Sequence, residues 1–156
     1  MNASEHDVTF LGEILEEHAE QRRILARAEQ AFRDFSDEDR SPRDRDLAGI
    51  SDQLADLRPH LTRHFAFEER GGYLCEALEV APRYSEEAAE LQGQHAVFLK
   101  QLAEIEGRVR DFPFGRESWN AIQDAFEDFL ATMSEHEHRE NALVQSAFGD
   151  DVGVGD

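Results

Sequence analysis

The sequence contains a single cysteine, Cys75, among its 156 residues. A disulfide within the chain needs two cysteines, and zinc or iron–sulfur sites built on thiolates need several. One chain can therefore form neither, so any metal site in it must rely on nitrogen and oxygen ligands. The lone cysteine also agrees with a reducing compartment.

Lysine is equally rare, because Lys100 is the only one and all other basic residues are arginines. The chain has 35 acidic residues against 16 basic ones, which gives a formal net charge of -19. Such a surface repels phosphate backbones and anionic membranes. We therefore expect no nucleic-acid partner and no membrane partner, and the acidic surface is read as a solvated face.

Long apolar runs are missing as well. No stretch approaches the ~18 apolar residues that a membrane-spanning helix needs. The first ten residues, MNASEHDVTF, lack the basic and hydrophobic parts of a secretory signal peptide. These observations predict a soluble, cytoplasmic protein.

The composition of the chain and the spacing of its apolar residues favour helices. Valine and isoleucine are sparse and alternating apolar runs are absent, whereas Ala, Leu, Glu, Gln and Arg dominate. Breaker residues separate four long segments, which we predict to be helices over 7–35, 44–70, 85–109 and 118–148. The predicted fold class is all-α: an antiparallel up-down-up-down four-helix bundle over 1–148, followed by a flexible acidic tail over 149–156.

Single residues predict where some of these helices begin, end or bend. Ser85 and Ser118 are candidate N-caps. Gly71 and Gly149 are candidate helix ends. Pro59 removes a backbone donor inside the second helix, so we expect it to kink or split that helix.

Each helix carries a histidine on the apolar stripe that a bundle would bury. The stripe is read from apolar residues spaced three and four apart, and its histidines are His18, His64, His95 and His136. Glu68 and Glu140 lie on the same stripes, each one turn after a histidine. An isolated ionised glutamate in a bundle core costs several kcal/mol unless it is compensated, so two of them indicate a cation.

The heights of these residues along the bundle support one shared site. With a rise of about 1.5 Å per residue and alternating helix directions, the four histidines lie roughly 10 to 18 Å from the same end. Taken singly, His18 and His95 would be ordinary hydrogen-bonded core histidines; taken with the two His-x-x-x-Glu pairs, they favour a metal site. Imidazole with carboxylate suits iron or manganese and tolerates zinc.

The other histidines are expected to stay outside this site. His6 precedes the first stripe, and His60 and His138 lie off the stripes of their helices. We expect His60 at the rim, and Glu69 and Glu137 to be solvated or to lie behind the ligands.

Four short motifs resemble the hemerythrin family, in particular the bacterial hemerythrin-like proteins with an HHE cation-binding domain. They are a lone histidine on the first helix, HFAFEE at 64–69, LQGQH at 91–95 and HEHREN at 136–141. The resemblance covers nearly the whole chain. It implies a four-helix bundle around two iron ions, a non-haem di-iron centre with an oxo or hydroxo bridge, that binds dioxygen or another small ligand. It also implies a ligand set in which His18 and His64 bind one iron, His95 and His136 bind the other, and Glu68 and Glu140 bridge them.

The third helix departs from the pattern of the oxygen-carrying hemerythrins, which have two histidines there, one turn apart. Leu91 occupies the first of these positions, so water, His60 or Glu69 would take the missing place. Three hypotheses follow. The chain binds or senses dioxygen or a related small ligand, with an iron or redox response; it is a di-iron enzyme that consumes peroxide, oxygen or nitric oxide; or it is a metal-free or zinc-stabilised helical interaction protein.

Overall fold

The computed structural model describes the backbone of residues 3–35, 41–70 and 73–153 and the side chains of residues 16–35, 41–70 and 74–149. Its helices are α1 (Ala3–Arg33), α2 (Asp44–Glu69), α3 (Tyr73–Val80), α4 (Ser85–Asp111) and α5 (Trp119–Gly153), with a 3-10 turn at Pro82–Tyr84. These described ranges contain no β-strand. The all-α, helical-bundle prediction is confirmed, whereas the up-and-down direction of the helices and the domain boundary at 148 stay predictions.

The four long helices pack in a closed order. α1 contacts both α2 and α5, α2 contacts α4, and α4 contacts α5. Each long helix therefore has two long neighbours, and their buried stripes face a common interior. None of the described helices is both long and apolar enough to cross a membrane.

Predicted helix boundaries hold in part. Ser118 is the N-cap of α5, since its hydroxyl accepts a hydrogen bond from the N–H of Ala121 at 3.2 Å. Ser85 is not an N-cap: it is the first residue of α4, and its hydroxyl donates to the carbonyl of Pro82 in the preceding turn. α5 also continues past Gly149 to Gly153, because buried Ala147 holds its last described turns on the bundle. Gly71 lies outside the described residues.

Helix α2 runs without interruption through Pro59. Of the two predicted effects, the split is wrong and the kink stays a prediction. A proline inside a helix removes one backbone hydrogen bond. Leu57 and Leu61, on either side of it, are fully buried in the core. Their packing holds both halves of α2 against the bundle and offsets the lost bond.

Helix α3 was not predicted from the sequence, since none of the four predicted helices covers residues 73–80. Leu74 and Ala77 of α3 are fully buried. They form a small apolar cluster with the end of the bundle, where the partners from α4 and α5 are Ala88, Leu91, Leu143, Val144 and Ala147. Leu74, Ala77 and Ala81 are spaced three and four apart, which is the signal that could have revealed the helix.

A second, larger apolar cluster fills the other part of the bundle. It draws on all four long helices and includes Phe32, Leu54, Leu61, Phe98, Phe126 and Met133. On α5 the two clusters are separated by His136 and Glu140, which lie between Met133 and Leu143, and on α4 His95 lies between Leu91 and Phe98. A layer of buried polar residues thus crosses the bundle between two apolar layers.

Candidate metal centre

The six sequence-predicted ligands meet in this polar layer, and each is at most 4% exposed. Their potential ligand atoms form two groups, in each of which all the atoms lie within 4.8 Å of one another. One group is His18, His64 and Glu68; the other is Glu68, His95, His136 and Glu140. Glu68 belongs to both groups, so the structure joins them into one cluster.

Helical spacing sets two of the contacts. Residues four apart share one face of a helix. On α2, Nε2 of His64 lies 2.6 Å from Oε1 of Glu68, and on α5, Nε2 of His136 lies 2.7 Å from Oε1 of Glu140. Each His-x-x-x-Glu motif therefore presents one nitrogen and one carboxylate to the interior, as its spacing predicts.

The other two histidines reach these carboxylates from neighbouring helices. Nε2 of His95 lies 3.0 Å from Oε2 of Glu68 and 3.3 Å from Oε1 of Glu140. Nε2 of His18 lies 4.0 Å from an oxygen of each glutamate. Both carboxylates thus lie between histidines of the two groups, where a bridging ligand would be needed.

All four imidazoles point Nε2 inward, and their Nδ1 atoms face acceptors behind them. His95 Nδ1 hydrogen-bonds Oε1 of Glu69 at 3.2 Å, and His136 Nδ1 hydrogen-bonds Oε1 of Gln94 at 2.7 Å. An acceptor at Nδ1 favours the tautomer with its proton there and leaves the Nε2 lone pair for a metal.

The remaining pair faces carboxylates at longer or less regular contacts. Nδ1 of His64 lies 3.2 Å from Oε1 of Glu17, and Nδ1 of His18 lies 3.8 Å from Oε1 of Glu137. Arg22 of α1 donates to the same Glu137 oxygen at 3.2 Å. Glu137 is therefore held between the site and the surface, which agrees with the expectation that it lies behind a ligand.

The donor atoms fit a cation. The Nε2 atoms of His95 and His136 lie only 3.2 Å apart. With both protons on Nδ1, two lone pairs and the ionised carboxylates would converge on one buried volume, which is strongly unfavourable without a positive charge. Four imidazoles and two carboxylates form a borderline-to-hard ligand set that suits iron or manganese.

Protonation is the alternative source of that positive charge. Burial by itself lowers the pKa of His95, but its hydrogen bonds to Glu140 and Glu68 outweigh burial and raise the pKa to about 10. Burial opposes ionisation of Glu68, yet hydrogen bonds from His18, His64 and His95 hold its pKa well below the usual range. Without metal the cluster therefore holds protons, and metal binding must release them.

Aromatic rings cover the site on the side of the larger cluster. Phe65 stacks on His95 with ring centroids 4.1 Å apart, and Phe98 meets His136 edge-on at 5.1 Å. On the other side Leu91 is fully buried among the residues of the α3 cluster. The clustered histidines and glutamates are thus enclosed by apolar surface, which excludes water and strengthens their electrostatic interactions.

Among the residues expected outside the site, those whose side chains the structure describes belong to neither ligand group. His60 is half-buried, stacks parallel to His64 at 6.5 Å between ring centroids, and belongs to neither ligand group. His138 is exposed. The side chain of His6 lies outside the described residues. Glu69 also belongs to neither group and instead contacts Nδ1 of His95.

We expect Glu140→Ala to weaken metal binding more than His60→Ala. Glu140 contacts His95 and His136 directly, whereas His60 touches the cluster only through the His64 ring. Loss of a residue behind a ligand costs about 10–100-fold in affinity, and loss of a ligand should exceed that. A Co²⁺ titration followed by visible absorption measures both effects. Equal losses would show that the ligand set is misassigned.

Fold and site together define a helical-bundle protein with a buried histidine–glutamate cluster suited to cations. The chain belongs to the hemerythrin family, since the model of the Hemerythrin HHE cation binding domain matches residues 9–148. This confirms the resemblance drawn from the motifs. No curated protein and no solved structure matches the chain.

Proposed function

We propose that the chain is a non-haem di-iron protein that binds dioxygen or a related small ligand, as an oxygen binder or sensor or in an iron or redox response. The observation that carries this proposal is the meeting of two His-x-x-x-Glu pairs and two further histidines in one buried cluster. In this proposal the bundle is antiparallel and the location is cytoplasmic. Its ligands are His18, His64, Glu68, His95, His136 and Glu140.

Each side chain of this site has a proposed role in holding or shielding the ions. The four imidazoles would offer Nε2 to the ions. Glu68 and Glu140 would serve both ions, because their oxygens lie within 4.0 Å of histidines of both groups. When bound, two iron ions supply reversible one-electron chemistry and coordination positions open to a small ligand. Phe65 and Phe98 keep bulk water from the imidazoles they cover.

A second candidate function is a di-iron enzyme that consumes peroxide, oxygen or nitric oxide. The observation in its favour is Leu91, which replaces a histidine of the oxygen carriers and is fully buried in apolar surroundings. Neither His60 nor Glu69 belongs to a ligand group, so in this proposal an extra position is open to an external ligand. Sustained turnover with a reductant would identify the enzyme, whereas reversible binding would identify the oxygen binder.

A zinc-stabilised or metal-free interaction protein fits less well. In a metal-free chain the buried carboxylates would depend on protonated histidines for compensation, within a fold whose family binds cations. Zinc would fit the donors but would give no charge-transfer absorption.

Metal analysis with an optical spectrum tests the proposal. Protein purified in air should hold two irons per chain and show the near-ultraviolet and visible charge-transfer bands of a bridged di-ferric pair. Reduction should bleach these bands, and renewed exposure to oxygen should change the spectrum again. Fewer than about one iron per chain after reconstitution would contradict the di-iron proposal.

A further inference from the structure

Four residues form a ring around the ligands, one from each long helix. Each is the sequence neighbour of a ligand on its own helix and faces a histidine on the next helix. Glu17 beside His18 faces His64, Glu69 beside Glu68 faces His95, Gln94 beside His95 faces His136, and Glu137 beside His136 faces His18. We call Glu17, Glu69, Gln94 and Glu137 the outer ring.

Helix geometry explains why a predicted ligand and its sequence neighbour contact different parts of the site. With 3.6 residues per turn, adjacent side chains point about 100° apart around the helix axis. When a ligand points into the bundle, its neighbour points sideways toward the adjoining helix. The ring closes because the helices pack in the order α1, α2, α4, α5 and back to α1.

Charge is not evenly distributed around this ring. Glu17, Glu69 and Glu137 carry carboxylates, and Gln94 is the one neutral member. A carboxylate behind an imidazole raises the basicity of its ligand nitrogen. His136 therefore has the weakest electrostatic support of the four histidines, although its contact to Gln94, at 2.7 Å, is the shortest.

This difference in charge distinguishes the His18/His64 half of the cluster from the His95/His136 half. His18 and His64 both face carboxylates, and the Glu137 side chain is only 10% exposed and fixed by Arg22. His95 and His136 face one carboxylate and one amide, and that carboxylate, on Glu69, is half-exposed and so screened by water. The two metal positions are chemically unequal even though each has two histidines.

We propose that Gln94 makes the His95/His136 position the weaker of the two, so that a first divalent cation occupies the His18/His64 position. This inference rests on the proposed function in one respect, that the chain binds two cations. Gln94 is then a positioning residue, because it acts on the metal through His136. The inference adds an order of loading and a residue that sets it.

A stepwise Co²⁺ titration of the metal-free full chain, followed by calorimetry and visible absorption, tests the order. The wild type should bind two ions in two separated steps. Gln94→Glu should tighten the second step by about tenfold and leave the first unchanged. Glu17→Gln, which makes the support of His64 neutral, should weaken the first step by a similar factor.

Matched controls lie beside each changed residue. Gln92→Glu adds the same charge to α4, and Glu16→Gln removes the same charge from α1. Glu16 is exposed, and neither residue belongs to a ligand group. Both controls should leave both steps in place. A purely structural role of Gln94 or Glu17 would move both steps together, whereas positioning moves one.

The outcomes separate this inference from the proposed function. Two Co²⁺ ions bound with steps that Gln94→Glu leaves unchanged, or shifts equally, would overturn the inference alone. Two ions bound in a single unresolved step would also overturn it. A wild type that binds no second ion would overturn both the inference and the two-cation proposal.

Discussion

Replacing Glu68 with alanine should remove both iron ions from the protein. Glu68 is fully buried, its Oε1 lies 2.6 Å from Nε2 of His64, and its Oε2 lies 3.0 Å from Nε2 of His95. It is the one residue common to both ligand groups, so its loss deprives each ion of a ligand and brings their positive charges together with less compensation. Iron per chain after anaerobic reconstitution should fall from two to background.

Two further variants serve as comparisons for Glu68→Ala. His64→Ala affects one group only, so it should retain iron at the His95/His136 position while losing it at the other. Asp56→Ala removes an exposed carboxylate from the same helix and should bind iron as the wild type does. Far-ultraviolet circular dichroism of the metal-free variants shows whether each one folds. If folded Glu68→Ala keeps two irons, or loses no more than His64→Ala, Glu68 does not bridge the groups.

The ligand cluster was predictable because helix geometry is local. A histidine and a glutamate four residues apart must share a face, so His64 with Glu68 and His136 with Glu140 form pairs wherever their helices lie. The rise per residue then set the heights of His18 and His95, provided that the segments formed one bundle. The predicted burial of the two glutamates then indicated a cation, because a core position is costly for an uncompensated glutamate.

The surroundings of the ligands were not predictable in the same way. Whether Glu17 faces His64, or Gln94 faces His136, depends on how each helix is rotated against its neighbour, and that rotation is decided by packing of the whole core. Glu69 and Glu137 were expected to be solvated or to lie behind ligands, whereas no role was predicted for Glu17 and Gln94. The signal available in the sequence was that Glu17 and Gln94 each lie next to a predicted ligand.

Helix α3 was missed because a glycine pair and a proline bracket a segment too short to show helical periodicity clearly. Its eight residues contain only two turns, and an isolated helix of that length is unstable in water. Contacts with α5 and α2 stabilise it instead, and Leu74 and Ala77 join the apolar cluster that includes residues of α4 and α5. The same contacts bury Leu91, so the departure from the oxygen-carrier pattern and the unforeseen helix belong to one apolar cluster.

Stability should depend on pH more steeply without metal than with it. In the metal-free protein the pKa of His95 rises from its ordinary value of 6.5 to about 10. Burial lowers the pKa of His64, but Glu68 and Glu17 together outweigh burial and raise it. A raised pKa contributes stability that is fully present below pH 6.5 and is lost as the pH approaches 10. Metal binding needs these imidazoles deprotonated, so it strengthens over the same interval.

We therefore expect the Tm of the metal-free protein to fall as the pH rises from 6.5 toward 10, while the gap between loaded and metal-free Tm widens. A ligand at 1,000 times its Kd stabilises the folded state by about 4 kcal/mol, so the gap is large enough to measure. Differential scanning calorimetry of zinc-loaded and metal-free samples at matched pH gives both curves. His138→Ala, which removes an exposed histidine, should keep the slope, and His95→Ala should reduce it. A metal-free Tm that stays level or rises over this interval would show that His95 is not held protonated by Glu68 and Glu140.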